Sequence, residues 1–303
     1  MNSMQVVLSI ISLAVLSDCS VMYDLNLAPH ECLETKAIAA DYTPLGQMIL
    51  IGNLTAYQYE APHNMNPNRL LIGVYDIYGF NYENLKQVAD QMAVQSSGFK
   101  VVLPDFFRGD AWDVDRNASE RQEWMDRVGD WNGIVKPDLI NVVQYYKNRG
   151  VEEFAIYGMC WGGKIATLAA IELSEYFKAS GLVHPSLVTD DEAEIVQIPM
   201  YLMPSKDERN MTSFYQILQS KFGDNSGHRR FDDMSHGFTG ARGNFSDPLI
   251  RERVDEVINK LGIFFDHNLN ETRTSSDSVI LQSHKFWFVT LFVAVFIHFG
   301  CKI

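Results

Sequence analysis

The sequence predicts an α/β fold, a mostly parallel twisted sheet with helices on both faces, from three observations. Short β-rich runs alternate with longer amphipathic segments from about Cys32 to Asn268. An apolar strand runs through a glycine-flanked turn straight into a helix between Phe154 and Lys164. A long helical period then closes the region: Leu249, Ile250, Val254, Val257, Ile258, Leu261, Phe264 and Phe265 share one face, and Arg251, Glu252, Asp255, Glu256 and Lys260 the other.

Taken in order, the strands are expected at residues 54–59, 70–75, 100–103, 154–157, 181–183, 200–203 and 229–231. Helices are expected near 83–95, 137–148, 163–172, 212–221 and 248–267. No linker or repeat divides this stretch, so the chain reads as one domain over 32–268. Around it lie a signal peptide over 1–20, a polar spacer over 269–285 and a hydrophobic tail over 286–303.

A chain of 303 residues with 47% hydrophobic and 21% charged composition can bury one large core. Its formal charge of −13 offers no basic field for phosphates, which argues against nucleic-acid binding. The four cysteines, at 19, 32, 160 and 301, form neither a disulfide framework nor a zinc-ligand spacing; Cys32 reads as an incidental thiol.

Both ends point to the secretory pathway and an extracellular or cell-surface location. Val6 to Leu16 is an apolar run of signal-peptide length followed by small or polar residues, although no Lys or Arg precedes it. Asn53, Asn117, Asn210, Asn244 and Asn270 each begin a glycosylation sequon, where chance at this composition gives about two. The apolar block from Phe286 to Gly300 is short for a membrane span, which takes roughly twenty residues. Preceded by Ser275, Ser276, Asp277 and Ser278 and a polar spacer, it fits a GPI signal better than a short membrane helix. The expected membrane contact is through this tail.

The chemistry concentrates at Gly158-Met-Cys160-Trp-Gly162, a glycine-x-nucleophile-x-glycine elbow with cysteine as nucleophile. The flanking glycines permit the sharp turn, and the start of the following helix favours a thiolate. In this architecture the order is nucleophile, acid, histidine. Asp207 follows an apolar strand and His236 precedes the last helix, so Cys160, Asp207 and His236 form the expected triad. Asp190, Asp191 and Glu208 are alternative acids that otherwise read as solvated charge. His184 comes before the acid and reads as a site-lining or structural residue. The amides of Trp161 and Ile77 are the expected oxyanion hole. Trp112, Trp124 and Trp131 fall in a cap-like stretch, where they pack that segment or line a pocket.

These motifs together, Val74-Tyr-Asp76-Ile-Tyr-Gly79-Phe-Asn, Leu103-Pro-Asp105-Phe-Phe-Arg-Gly109, Gly158-Met-Cys160-Trp-Gly-Gly163, Asp207 and His236-Gly-Phe238, resemble the dienelactone hydrolase (carboxymethylenebutenolidase) family. The resemblance implies an α/β-hydrolase fold, a Cys160, Asp207, His236 triad and no metal or organic cofactor. Bacterial members carry a glutamate after the third strand that helps activate the cysteine; Asp76, one methylene shorter, holds that place. They also bind a substrate carboxylate with arginines, for which Arg108 and Arg242 are the nearest candidates.

The expected activity is hydrolysis of small esters or lactones through a thioester on Cys160. The competing expectation is a surface-anchored glycoprotein that keeps the fold for binding and has lost catalysis; the intact Cys160, Asp207 and His236 argue against it.

Overall fold

A computed structural model describes residues 35–95 and 98–270. The expected signal peptide, Cys32, and the segment 271–303 with its apolar tail lie outside the described residues.

Among the described residues eight strands form one sheet: β1 (Gln47–Ile51), β2 (Leu54–Glu60), β3 (Arg69–Val74), β4 (Lys100–Pro104), β5 (Glu153–Met159), β6 (Phe177–Val183), β7 (Met200–Met203) and β8 (Gly227–His228). Their spatial order is β1-β2-β4-β3-β5-β6-β7-β8. The first two are antiparallel to their neighbours, and β4 through β8 run parallel. Every residue of β3 and β5 is buried, as expected of central parallel strands covered on both faces.

The crossovers are helices: α1 (Glu83–Ala93), α2 (Arg121–Val128), α3 (Lys136–Lys147), α4 (Trp161–Glu172), the short α5 (Glu192–Ile195) and α6 (Thr212–Phe222). A final helix, α7, covers 248–270. Val254, Val257, Ile258, Leu261, Phe264 and Phe265 are buried as their period predicts, whereas Leu249, at the first turn, is 44% exposed. Leu261 and Phe265 sit directly over Gly181 of β6, so the close approach of α7 to the sheet requires that glycine. Among the described residues no helix is long and apolar enough to cross a membrane.

Two strands depart from expectation. β1 was not read from the sequence because it is an edge strand with Met48 and Leu50 exposed, so it lacks a buried-face pattern. The run expected over 229–231 pairs earlier, at Gly227–His228, and continues only as a bridge between Phe231 and Ser205. The segment between β4 and α3, expected only to be cap-like, contains α2 and a π-turn at Trp131–Val135.

The loops leaving the C-terminal ends of β3, β5, β6 and β7, together with the loop after β8, converge on one edge of the sheet. That is where a parallel sheet holds its ligands.

Candidate active site

Cys160 stands between β5 and α4 with φ 54° and ψ −117°, a backbone conformation that costs a non-glycine residue energy and persists only when its surroundings enforce it. The enforcement is visible. A side chain on Gly158 would collide with the Gly162 carbonyl, and one on Gly162 would collide with the Val74 carbonyl. The two glycines therefore let β5, the turn and β3 close onto each other, and the Gly162 amide bonds to the Tyr75 carbonyl at 3.1 Å. The thiol is buried at the N-terminal end of α4, where the helix favours negative charge.

His236 is brought to this thiol. Burial alone would depress the imidazole, but the Cys160 thiolate and the Glu208 carboxylate outweigh it and raise the ring to about 9. Nε2 makes no well-aligned hydrogen bond, although the sulfur is near enough to act on the ring as charge and hydrogen-bond partner. Such loose nucleophile–base contacts are common before substrate binds.

The acid requires a correction. The carboxylate on His236 Nδ1 is Glu208, at 2.6 Å, and not Asp207. Asp207 instead accepts the backbone amide of His236 at 2.7 Å. After β7 the chain makes a tight loop in which the Ser205 amide bonds to one Glu208 oxygen and the Ser205 hydroxyl to the other at 3.1 Å. That loop turns adjacent side chains in different directions: the shorter Asp207 reaches the backbone of the histidine loop and the longer Glu208 reaches the ring. Arg230, which sequence reasoning passed over, fastens the loop from outside through the carbonyls of Lys206, Glu208 and Arg209. Of the other alternative acids, Asp190 is paired with Arg209 and Asp191 begins α5.

The amides expected for the oxyanion hole are suitably placed in the chain. Trp161 is the first residue of α4, and Ile77 lies in the Asp76–Gly79 turn after β3. Among the described residues neither amide is taken by a backbone acceptor.

Asp76 is buried with both oxygens engaged, by the Tyr78 amide at 3.1 Å and the Ala241 amide at 2.8 Å. It braces the β3 loop against the histidine loop. Burial and then the neighbouring Cys160 charge push its carboxyl up to about 7.

His184 is also at the site. Its ring meets that of His236 edge-on at 4.9 Å, and Nε2 bonds to the Thr239 hydroxyl at 2.8 Å. Burial, with the charges of His236 and Arg242 beside it, holds it well below the usual histidine range, so it is neutral. The two arginines separate. Arg242 packs against Gly237 and donates to the His236 carbonyl. Arg108 is elsewhere: it pairs with Asp138 at 2.9 Å and lines a separate cavity of about 320 Å³ with Phe106, Phe107 and Pro137.

Trp112, Trp124 and Trp131 are all buried, so they pack the segment after β4. Phe107 joins Trp124 to Trp161, with ring centroids 5.2 and 4.6 Å apart, and this aromatic wall backs the elbow. Among the described residues no group of His, Cys, Asp and Glu could hold a metal ion.

The profile of the dienelactone hydrolase family matches residues 54–267. An uncharacterized AIM2 family protein of Schizosaccharomyces pombe is 30% identical over 251 residues, covering 77% of this chain and 97% of the relative. A hydrolase of Aspergillus violaceofuscus is 25% identical over 225 residues, covering 70% and 86%. Among solved structures, the dienelactone hydrolase of Anabaena variabilis superimposes with a TM-score of 0.52 at 14% identity, over 75% of this chain and 98% of that one. A candidate dienelactone hydrolase of Klebsiella pneumoniae gives 0.58 at 17%, over 74% and 99%. These likenesses show the α/β-hydrolase fold.

Proposed function

Because the chain belongs to the dienelactone hydrolase family, a family of hydrolases, we propose that it cleaves small ester or lactone substrates with Cys160 as nucleophile, His236 as base and Glu208 as the acid that orients it. The observation that carries this reading is the elbow sulfur beside an imidazole whose far nitrogen rests on a buried carboxylate.

The thiolate attacks the carbonyl carbon, and the negative charge moves to the carbonyl oxygen, where the Trp161 and Ile77 amides hold it. Collapse breaks the carbon–oxygen bond, with His236 giving its proton to the leaving alcohol or ring oxygen. The acid is left as a thioester on Cys160. His236 then takes a proton from water, hydroxide adds to the thioester, and the thiolate is released. Asp76, beside the sulfur, influences how readily the thiolate forms, in place of the glutamate of bacterial relatives. Of the two arginines, Arg242 is the candidate to meet an anionic substrate, because it lies on the histidine loop and donates to the His236 carbonyl, whereas Arg108 is paired with Asp138.

The test is to mix the purified protein with p-nitrophenyl acetate, small lactones and dienelactone, quench, and weigh the intact chain. An acyl adduct that maps to Cys160, is absent from Cys160→Ala and decays at the turnover rate is the expected result. Hydrolysis at equal rates by the two proteins would sink it.

From the sequons and the apolar C-terminal run we infer in addition that the protein enters the secretory pathway, is glycosylated and is membrane-anchored through its C-terminal segment. Supporting it, all five sequon asparagines, Asn53, Asn117, Asn210, Asn244 and Asn270, are exposed. Peptide N-glycosidase F is expected to increase the mobility of the native protein, and phosphoinositide-specific phospholipase C to release it from membranes. No change with either enzyme would remove glycosylation and the GPI anchor respectively.

A further inference from the structure

The loop after β6 contributes a side chain that the mechanism above does not use. Two of its residues, His184 at φ 37° and Leu187 at φ 66°, occupy the left-handed region that non-glycine residues avoid. Between them the chain is pressed onto the elbow. The Ser186 amide bonds to the Cys160 carbonyl at 2.9 Å, and Pro185 packs so closely on Gly163 that no side chain would fit there. The result is that the Ser186 hydroxyl lies 3.4 Å from the Cys160 sulfur. Ser186 is 2% exposed, in a ledge otherwise made of Val183, His184, Pro185, Leu187 and Val188. A buried hydroxyl is costly without a partner, and among the described residues its partner is the nucleophile.

We propose that Ser186 is a further catalytic residue, donating its hydroxyl hydrogen bond to the Cys160 thiolate and so setting the acidity of the thiol. A hydroxyl bonds weakly to a neutral thiol and strongly to a thiolate, so the contact favours ionisation. As the sulfur attacks, its charge moves to the carbonyl oxygen and the bond slackens. Ser186 therefore increases the thiolate fraction at low pH and slightly restrains each thiolate.

The other charged or titratable groups near the sulfur are Asp76 from the β3 loop, His236 with Glu208 behind it, Arg242, and neutral His184. The N-terminal end of α4 adds its dipole. All remain in a Ser186 variant, so a difference in titration isolates the hydroxyl. The inference rests on Cys160 being the nucleophile of the proposed reaction, but its test needs no substrate.

The ultraviolet absorbance of the thiolate is titrated in the full chain, with Cys160→Ala subtracted to remove the other cysteines. Ser186→Ala is expected to raise the midpoint by about one pH unit, tenfold less thiolate on the acid side. Ser186→Thr keeps a hydroxyl and is expected to stay close to wild type. Where hydrolysis is measurable, Ser186→Ala should lose rate at low pH and match or exceed wild type at high pH. Thermal melts check folding, and Ser186→Gly, which also lacks the hydroxyl, substitutes if the alanine variant does not fold. A midpoint unmoved in Ala and Gly, or moved equally in Thr, would overturn the proposal. Absence of hydrolysis with the midpoint shifted would sink the proposed activity, and with it the catalytic role of Ser186, and leave only its control of the acidity of the thiol.

Discussion

Replacing Glu208 by glutamine is expected to slow hydrolysis by about 10²- to 10⁴-fold, the range in which a positioned proton-transfer group contributes. Glutamine keeps the length and volume of the side chain, so the loop after β7 can retain its shape. What disappears is the charge that sustains an imidazolium at His236 and fixes the tautomer at Nδ1. Asp207→Asn should behave differently, because an asparagine oxygen can still accept the His236 amide now bonded to Asp207. Its expected cost is about tenfold or less in kcat/KM, with a stability loss of about 1 kcal/mol from the weakened hydrogen bond. Steady-state kinetics and thermal melts on the two variants decide between the neighbours. An active Glu208→Gln beside an inactive Asp207→Asn would return the acid to Asp207.

That pair of residues also marks where the sequence stopped being informative. The nucleophile was legible because its turn imposes two glycines at fixed spacing, and the clashes that side chains at Gly158 and Gly162 would meet are the reason for the spacing. His236 was legible from chain order and from Gly237, whose φ of +86° and close packing by Arg242 leave no room for a side chain. Choosing between Asp207 and Glu208 was a different problem. Both follow the same strand, both are acids, and only the hydrogen bonds from Ser205 decide which one turns inward.

The parallel core of the sheet was readable because burial on both faces demands continuous apolar runs, as in β3 and β5. β1 has no such demand on it. Ser186 was invisible for a related reason: its partner is 26 positions away, and serine carries no periodic or motif signal. Arg108 misled because adjacency to a motif does not specify direction; its guanidinium turns to Asp138 and away from the elbow.

The brace at Asp76 makes stability depend on pH with a definite sign. Its carboxyl sits at about 7 in the folded chain, raised first by burial and then by the thiolate, against 3.8 for the ordinary group. Between those values the native protein holds a proton that the unfolded chain has released. The Asp76 contribution therefore falls as pH rises from about 4 to about 7, by at most about 4 kcal/mol at 1.36 kcal/mol per unit, and is level above that. His236 acts in the same direction over a higher window. Raised from 6.5 to about 9, it contributes stability that is full below 6.5 and lost as pH passes through 9.

Neutral His184 acts in the opposite direction below 6.5, where the unfolded chain takes up a proton that the native ring refuses, so urea unfolding from pH 4 to 10 is compared between wild type and variants. Asp76→Asn should make the slope between about 4 and 7 less negative. It should also lower stability at acid pH, because the amide nitrogen cannot accept, whereas both carboxyl oxygens now accept, from the backbone amides of Tyr78 and Ala241. Cys160→Ala should likewise make the slope less negative, both between about 4 and 7 and near 9, since the charge it removes raises both groups. An unchanged slope between about 4 and 7 in Asp76→Asn would mean that Asp76 is ionised throughout. Asp76 would then oppose the thiolate at every working pH. A protonated Asp76 below about 7 instead removes that repulsion and leaves the negative charge of the site on the sulfur that needs it.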